Sequence, residues 1–189
     1  MVGPKLSGDK VNLRPLTTED VRRRYEWLSD HEVFRLFTGS LPSKPYAVSD
    51  VEIWRCGLES DPTAIVWAIE TKQDRHIGDV DLHGIDHSSR AAKLTILVGE
   101  KAFWNHGYGT DTVRTVLDYA FTETQISQVD LRVFEFNVRG IGCYRKCGFL
   151  TTWVPARDQD GVTGPPEIHM SVTKEHFLAE YRNSATARS

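Results

Sequence analysis

The chain predicts an α+β fold, and three observations lead to it. Runs of alternating apolar residues bunch ahead of one strongly amphipathic central helix instead of interleaving regularly with helices. The three strands before that helix are joined by the short polar loops TKQDR and DHSSR, which implies an antiparallel meander. After Gly109 the apolar positions Val113, Val116, Leu117, Ala120 and Phe121 recur at helical spacing.

In order along the chain, Val11–Leu16 reads as a first strand closed by Pro15, and Thr17 or Thr18 can cap a helix running to about Leu28. Residues 29–45 mix turn formers with aromatics and read as an irregular or short-helical excursion. Ser49 and Glu52 match a capping box for a helix that ends before Asp61-Pro62. Strands follow over Ala64–Glu70, Ile77–Ile85 and Ala92–Val98, then the central helix, then a strand through Val129, Leu131 and Val133. A short helix over Val138–Cys147 stops at Gly148. Strands Phe149–Val154 and Ile168–Val172 are separated by the loose loop ARDQDGVTGPP, and KEHFLAEYR reads as a terminal helix before a loose tail, NSATARS. A length of 189 residues with no repeat and no linker suits a single domain, residues 1–189, with its body at about 8–173 and a helix and tail at 174–189.

Charge and cysteine usage narrow the function classes. A net charge of −3 gives no reason to expect nucleic acid. The run Arg22, Arg23, Arg24 sits among acids on a helix and reads as a solvated face, with a phosphate patch as the alternative. Three cysteines, an odd and sparse set, suggest a reducing compartment, and Cys143 and Cys147 lack the further ligands a metal would need. The N-terminus has no apolar signal region and no apolar run approaches membrane-spanning length, so a cytoplasmic protein is expected, with no membrane partner.

The chemistry concentrates in two segments. FWNHGYGT, Phe103–Thr110, joins a strand to the central helix. Its two glycines allow close backbone approach just where bare N–H groups and the helix dipole favour a phosphate. The alternative is a helix start that merely needs flexible residues; GxGxxG is not met, because Thr112 holds the third place, and the Walker lysine is absent. In NVRGIGCYRKCGF, Asn137–Phe149, Asn137 is a good N-cap, yet Gly140 and Gly142 inside a short helix cost about 1 kcal/mol each against alanine. A ligand that must approach that backbone accounts for them. Tyr144 shares a face with Ile141 and by spacing could equally be a packed core residue.

These segments, together with NLRPLTTED, IGDVDLHGID and AKLTILVGEKAFWNHGYGTDTV, resemble the GNAT N-acetyltransferases, specifically the RimJ/RimL-like branch, over roughly residues 8–173. The resemblance implies a mixed, mostly antiparallel twisted sheet of about seven strands flanked by about four helices. It also implies acetyl-CoA as donor, without a metal. In that family the glycine loop reads Q/R-x-x-G-x-G/A; Trp104 stands in the Q/R place here, a departure that touches a side-chain contact and leaves the backbone donors in place. The matching cofactor-binding residues would be Val98, Gly99, Trp104, Asn105, His106, Gly107, Tyr108, Gly109, Thr110, Asn137 and Tyr144. Tyr144 would be the general acid, and Asn137 would contact the pantetheine arm or pyrophosphate.

Amine chemistry sets what else the site needs. An alkylammonium of pKa about 10.4 must lose a proton before it attacks, at roughly 4 to 5 kcal/mol near neutral pH, whereas an α-amine near 8 needs far less help. A thiolate leaving group can be protonated by a tyrosine held within hydrogen-bond reach, and an N–H near Val98 or Gly99 would hold the oxyanion. On Ile77–Ile85, Asp79, Asp81 and His83 share one face, opposite Val80 and Leu82. Asp81 is the first candidate base and His83 the second, with a solvated sheet face as the alternative. By the resemblance, Asp81 also lies near the acceptor. Glu100 and His106 read as structural and surface residues. Phe34 and Phe37, with Tyr46 and Trp54, are candidates to line the acceptor pocket or to pack in the core.

The sequence therefore points to an N-acetyltransferase acting by direct attack of a primary amine. The acceptor is a protein N-terminal amine, as in ribosomal-protein acetylation, or a small polyamine or aminoglycoside. The alternatives are an acyl-CoA-binding regulatory module without catalysis and a nucleotide-binding module. A homodimer is the expected assembly.

Overall fold

The computed structural model describes residues 3–42, 46–154 and 164–186, with side chains to residue 180. Among the described residues, eight strands form one sheet in the order β1-β2-β3-β4-β5-β6-β8-β7. They are β1 (Leu6–Ser7), β2 (Val11–Pro15), β3 (Ile65–Thr71), β4 (His76–Asp86), β5 (Ala91–Val98), β6 (Gln128–Phe134), β7 (Leu150–Trp153) and β8 (Glu167–Thr173). The helices are α1 (Asp20–Leu28), α2 (His31–Thr38), α3 (Val48–Ser60), α4 (Tyr108–Thr122), α5 (Val138–Lys146) and α6 (Lys174–Thr186). The expected meander is present as the antiparallel pairs β3·β4 and β4·β5. β5 and β6 pair in parallel.

Eight strands and six helices exceed the expected seven and four for local reasons. β1 is a two-residue strand that pairs with β2 through Leu6↔Leu13 and Ser7↔Asn12, too short to leave a pattern. α2 is the short-helical form of the excursion expected over residues 29–45. Asp30 caps it by accepting the Glu32 and Val33 N–H groups, and Gly39, at φ 84°, ends it. The cap of α1 is reversed relative to expectation: the Asp20 carboxylate accepts from the Thr17 N–H and hydroxyl. At α3 the Asp50 carboxylate accepts from the Ala47 N–H, so Asp50, and not the Ser49–Glu52 pair, closes its start. α6 continues to Thr186, into the stretch expected as a loose tail. Residues 187–189 and most of the loop expected between the last two strands, 155–163, lie outside the described residues.

Two apolar clusters lie on the faces of the sheet. The larger includes Trp67, Val80, Leu82, Leu117, Phe121 and Phe149, all fully buried or nearly so. α4 contributes to it the stripe Val113, Val116, Leu117, Ala120 and Phe121 that its sequence spacing foretold. The smaller holds Trp27, Leu28, Val33, Phe34 and Leu97, where α1 and α2 cover the other face. Gly99 is required at this second cluster, because a Cβ there would stand 2.1 Å from Trp27 Cδ2.

The first turn of α4 is fixed from outside. The Asp111 carboxylate accepts the N–H groups of Asp9 (3.1 Å), Lys10 (2.7 Å) and Val11 (3.0 Å), tying the β1–β2 turn to the start of α4. Hydrogen bonds to a charged group are worth about 1.5–3 kcal/mol each when one partner is deleted, and partial exposure lowers that figure here. Asp111→Ala is therefore expected to lower unfolding stability by about 2 kcal/mol in a urea titration, and unchanged stability would refute the tie.

Candidate functional site

The cofactor-side loop is built from backbone. Asn105 (φ 63°) and Gly107 (φ 86°) both take left-handed conformations, turning successive amides toward one side. Gly107 caps α4, and the first helical bond runs from Asp111 N–H to Gly107 O. The N–H groups of Tyr108, Gly109 and Thr110 thus precede any intrahelical acceptor, at the positive end of the helix dipole. A Cβ at Gly109 would make ordinary contact with Cys143 Sγ at 3.6 Å, so Gly109 is not demanded by protein packing.

Beside this loop the sheet splits. β5 and β6 pair only through Ala91↔Gln128, Ala92↔Val129 and Lys93↔Asp130. Beyond Lys93, β5 stays with β4 as far as Val98, while β6 stays with β8. The two strands diverge around a cleft of about 940 Å³ lined by Leu94–Val98 and Leu131–Phe134 together with the loop and α5. The Gly99 N–H donates to Ile77 O at 3.0 Å, so it is unavailable to an oxyanion. Ladder alternation, with Gly78 opposite Val98, then turns the Val98 amide away from β4 and into the cleft. Of the two N–H donors expected from sequence, Val98 alone is free to serve. Trp104 helps set this edge: its indole N–H donates to Val98 O at 2.6 Å. The Q/R position is thus filled by a side chain that pins the strand end.

α5 forms another wall. The Asn137 side chain accepts from Gly140 N–H at 2.9 Å, the capping expected of it. The two glycines differ. A Cβ at Gly140 would stand 3.0 Å from the Asn137 side chain, whereas at Gly142 nothing lies within 4 Å, and Gly142 lines the cleft. Tyr144 also lines it and is 8% exposed. Its ring packs edge-on against Phe149, and its hydroxyl has no hydrogen-bond partner among the described residues. Burial pushes that hydroxyl well above the usual tyrosine range, with the neighbouring Cys143 and Cys147 adding to the shift. Thr110 Oγ1 donates to Cys143 Sγ, and hydrogen bonding from Cys147 and Thr110 holds the Cys143 thiol below its ordinary value despite its burial.

On the opposite face of the sheet, Asp79 and Asp81 are only 4% and 5% exposed, which overturns the solvated-face alternative. Asp79 is ion-paired with Arg24. The Arg24 guanidinium is boxed by Trp54, 3.5 Å from the ring centre, and by Phe37 at 5.2 Å. Arg24 thus departs from the solvated face expected of the Arg22–Arg24 run, although Arg22 remains exposed. Its position three residues after Val21 and three before Trp27, both buried, was the available signal. Asp81 accepts from or is bridged to His83 Nδ1 at 2.7 Å. His83 lines the cleft, while Asp81 stands behind it.

The remaining candidates separate cleanly. Trp104, Asn105, Gly107, Gly109, Thr110 and Phe37 line the cleft, whereas His106, Tyr108, Gly99 and Phe34 are not among its described lining. His106 Nδ1 meets Trp104 O at 2.6 Å within the turn, and Tyr108 packs on Phe103. Phe34 is a core residue stacked edge-on with Tyr46. Glu100 pairs with Arg23 and Arg75, a structural role. Lining residues that sequence reasoning passed over include Lys93, Asp130, Arg132 and His169. They are polar positions on alternating strands, and only the sheet order brings them together. Among the described residues no group of three or more His, Cys, Asp or Glu is arranged to hold a metal ion, and no helix is long and apolar enough to cross a membrane.

Residues 10–150 match the profile of the Acetyltransferase (GNAT) domain. The chain belongs to the GNAT acetyltransferase family. Spermidine N(1)-acetyltransferase of Escherichia coli K12 is 27% identical to this GNAT chain over 178 residues, covering 93% of this chain and 92% of the relative. Human alpha/beta-tubulin-N-acetyltransferase 9 is 27% identical over 157 residues, covering 76% of this chain and 74% of the relative. Among solved structures, the Vibrio cholerae spermidine N-acetyltransferase in complex with CoA and spermine superposes with a TM-score of 0.75 at 20% identity, over 89% of this chain and 98% of that one. At that identity the likeness establishes a shared GNAT fold.

Cys143 offers a probe of the cleft in this GNAT protein. It lines the cleft and its thiol is shifted toward the thiolate, so iodoacetamide is expected to label it, and CoA to slow that labelling several-fold without protecting the exposed Cys56. Peptide mass mapping reads both sites, and equal labelling of Cys143 with and without CoA would place the ligand elsewhere.

Proposed function

We propose that this chain transfers an acetyl group from acetyl-CoA to a primary amine by direct attack, with the α4 N-terminus gripping the pyrophosphate. One observation carries the proposal: bare amides at Gly109 and Thr110, the Val98 N–H and the Tyr144 hydroxyl, which has no hydrogen-bond partner among the described residues, border one cleft. The residues suit acetyl-CoA. Left-handed Asn105 and Gly107 turn amides outward for a diphosphate. The open space before Gly142 admits a ligand against the α5 backbone. The unpaired edges of the diverging strands want partners, and the amide groups of the pantetheine arm can supply them. When bound, acetyl-CoA supplies the activated thioester carbonyl.

The chain's own groups then divide the work. The Val98 N–H stabilises the developing oxyanion. Tyr144, kept neutral by burial, donates its hydrogen to the departing sulfur; a thiolate whose thiol has pKa about 8.5 is well served by such a bond. His83, five register positions from Val98, takes up through bridging water the proton that the attacking amine gives up, and Asp81 fixes which ring nitrogen faces the cleft. Asn137 orders the α5 start beside the cofactor.

The proposal extends to the finer assignments. Residues 1–189 act as one acetyltransferase domain, of the RimJ/RimL-like branch, supported by the Trp104-centred loop. Three free thiols favour a cytoplasmic setting. Exposed Leu150, Trp153 and Val154 at edge strand β7 favour a homodimer, and the net charge of −3 favours no nucleic-acid partner.

Two variants test the core of the proposal. Gly107→Val puts a β-branched residue at φ 86° and narrows the anion approach, so the acetyl-CoA KM is expected to rise at least tenfold; an unchanged KM would contradict the loop assignment. Tyr144→Phe is expected to lower kcat by about 10²-fold with little change in donor affinity by calorimetry. An unaltered kcat would remove Tyr144 from the chemistry.

A further inference from the structure

The identity of the acceptor is written in the charges around the amine end of the cleft. Among the described residues, every buried acid on that face of the sheet is already engaged. Asp79 is neutralised by Arg24, which itself fills an aromatic box of Trp54 and Phe37. A carboxylate flanked by aromatic rings is the chemistry that binds an alkylammonium, and here the chain occupies it with its own guanidinium. Asp20 is held by Arg14, with His76 beside it, and Asp81 by His83. A polycation entering this side would find these carboxylates already paired.

The open end of the cleft carries Lys93 and Arg132 beside the Asp130 carboxylate. Lys93 lines it, is exposed, and has no ion-pair partner among the described residues. The sheet register sets Lys93 directly opposite His83 on one side and Asp130 on the other. Asp130 accepts the Gln128 amide at 2.9 and 3.2 Å, and Arg132, two residues further along β6, is loosely paired with Glu167 at 3.7 Å. Among the described residues Lys93 is therefore a cation without an ion-pair partner, opposite the group assigned as base.

We propose that the acceptor is a peptide-like amine carrying a carboxylate near its reactive end, and that Lys93 reads that carboxylate. The proposal rests on the acetyl-transfer function above. Lys93 precedes Val98 by five positions on β5, about 16 Å at roughly 3.3 Å per residue. A lysine side chain spans part of that gap. An extended peptide with its amine at Val98 thus brings its second to fourth residue to Lys93, so the acid belongs there.

The test compares initial rates with acetyl-CoA for three peptides with free N-termini, identical except for Glu, Gln or Lys at positions two to four, and for spermidine. The Glu peptide is expected to exceed the Lys peptide and spermidine in kcat/KM by at least tenfold, with the advantage shrinking as salt is raised. Lys93→Glu, at an exposed position, is expected to reverse that ranking while donor KM stays the same. Spermidine or the Lys peptide matching the Glu peptide, or a ranking indifferent to Lys93→Glu, would overturn the acceptor assignment and leave acetyl transfer standing. Absence of acetyl-CoA binding by calorimetry, or of CoA release with every amine, would overturn both.

Discussion

Each of the two central strands keeps one hydrogen-bonded neighbour and loses the other. β5 follows β4 to Val98, β6 follows β8 to Phe134, and between them only three residue pairs close the sheet. Unpaired strand edges are costly unless something meets them. The divergence therefore makes a continuous core and a ligand cleft from the same sheet. Trp104 fixes its rim by holding Val98 O, and Asp111 fixes the helix that ends at its mouth. The bare amides and the Val98 donor are held close together because these constraints act on one short stretch of chain, and α5 brings Tyr144 to the same cleft.

The faces of the sheet do different electrostatic work. Toward α4 and α5 the cleft offers backbone N–H groups and the helix dipole, fixed partial charges that need no reorganisation to meet an anion. Toward α1, α2 and α3, carboxylates are buried against guanidinium and imidazole groups. Removing one partner of such a pair leaves an uncompensated charge, so the Arg24–Asp79 pair constrains the helices around it. Trp54 and Phe37 bind α3 and α2 to the same guanidinium, which links these helices to β4 through one residue.

Much of the cleft was legible from sequence because its parts are local. The Gly107 loop, the Asn137 cap and the glycines of α5 are properties of short segments, and Gly142 faces open space at the cleft. What escaped was nonlocal or too short to repeat. β1 has two residues, and the bounds of α2, set by Asp30 and Gly39, were left open between an irregular and a short-helical stretch. Arg24 looked like its exposed neighbours because a charge run carries no sign of which member turns inward.

The chain's local pattern by itself determined an α+β fold, an antiparallel meander, the central amphipathic helix and a phosphate-competent loop ahead of it, since period and turn chemistry act over a few residues. Tertiary structure alone decided that β5 and β6 separate, that Val98 and not Gly99 offers its N–H, that Asp81 stands behind His83, and that Lys93 has no ion-pair partner among the described residues. Those outcomes depend on which strand lies beside which, and sheet order is set by the packing of residues far apart in the chain.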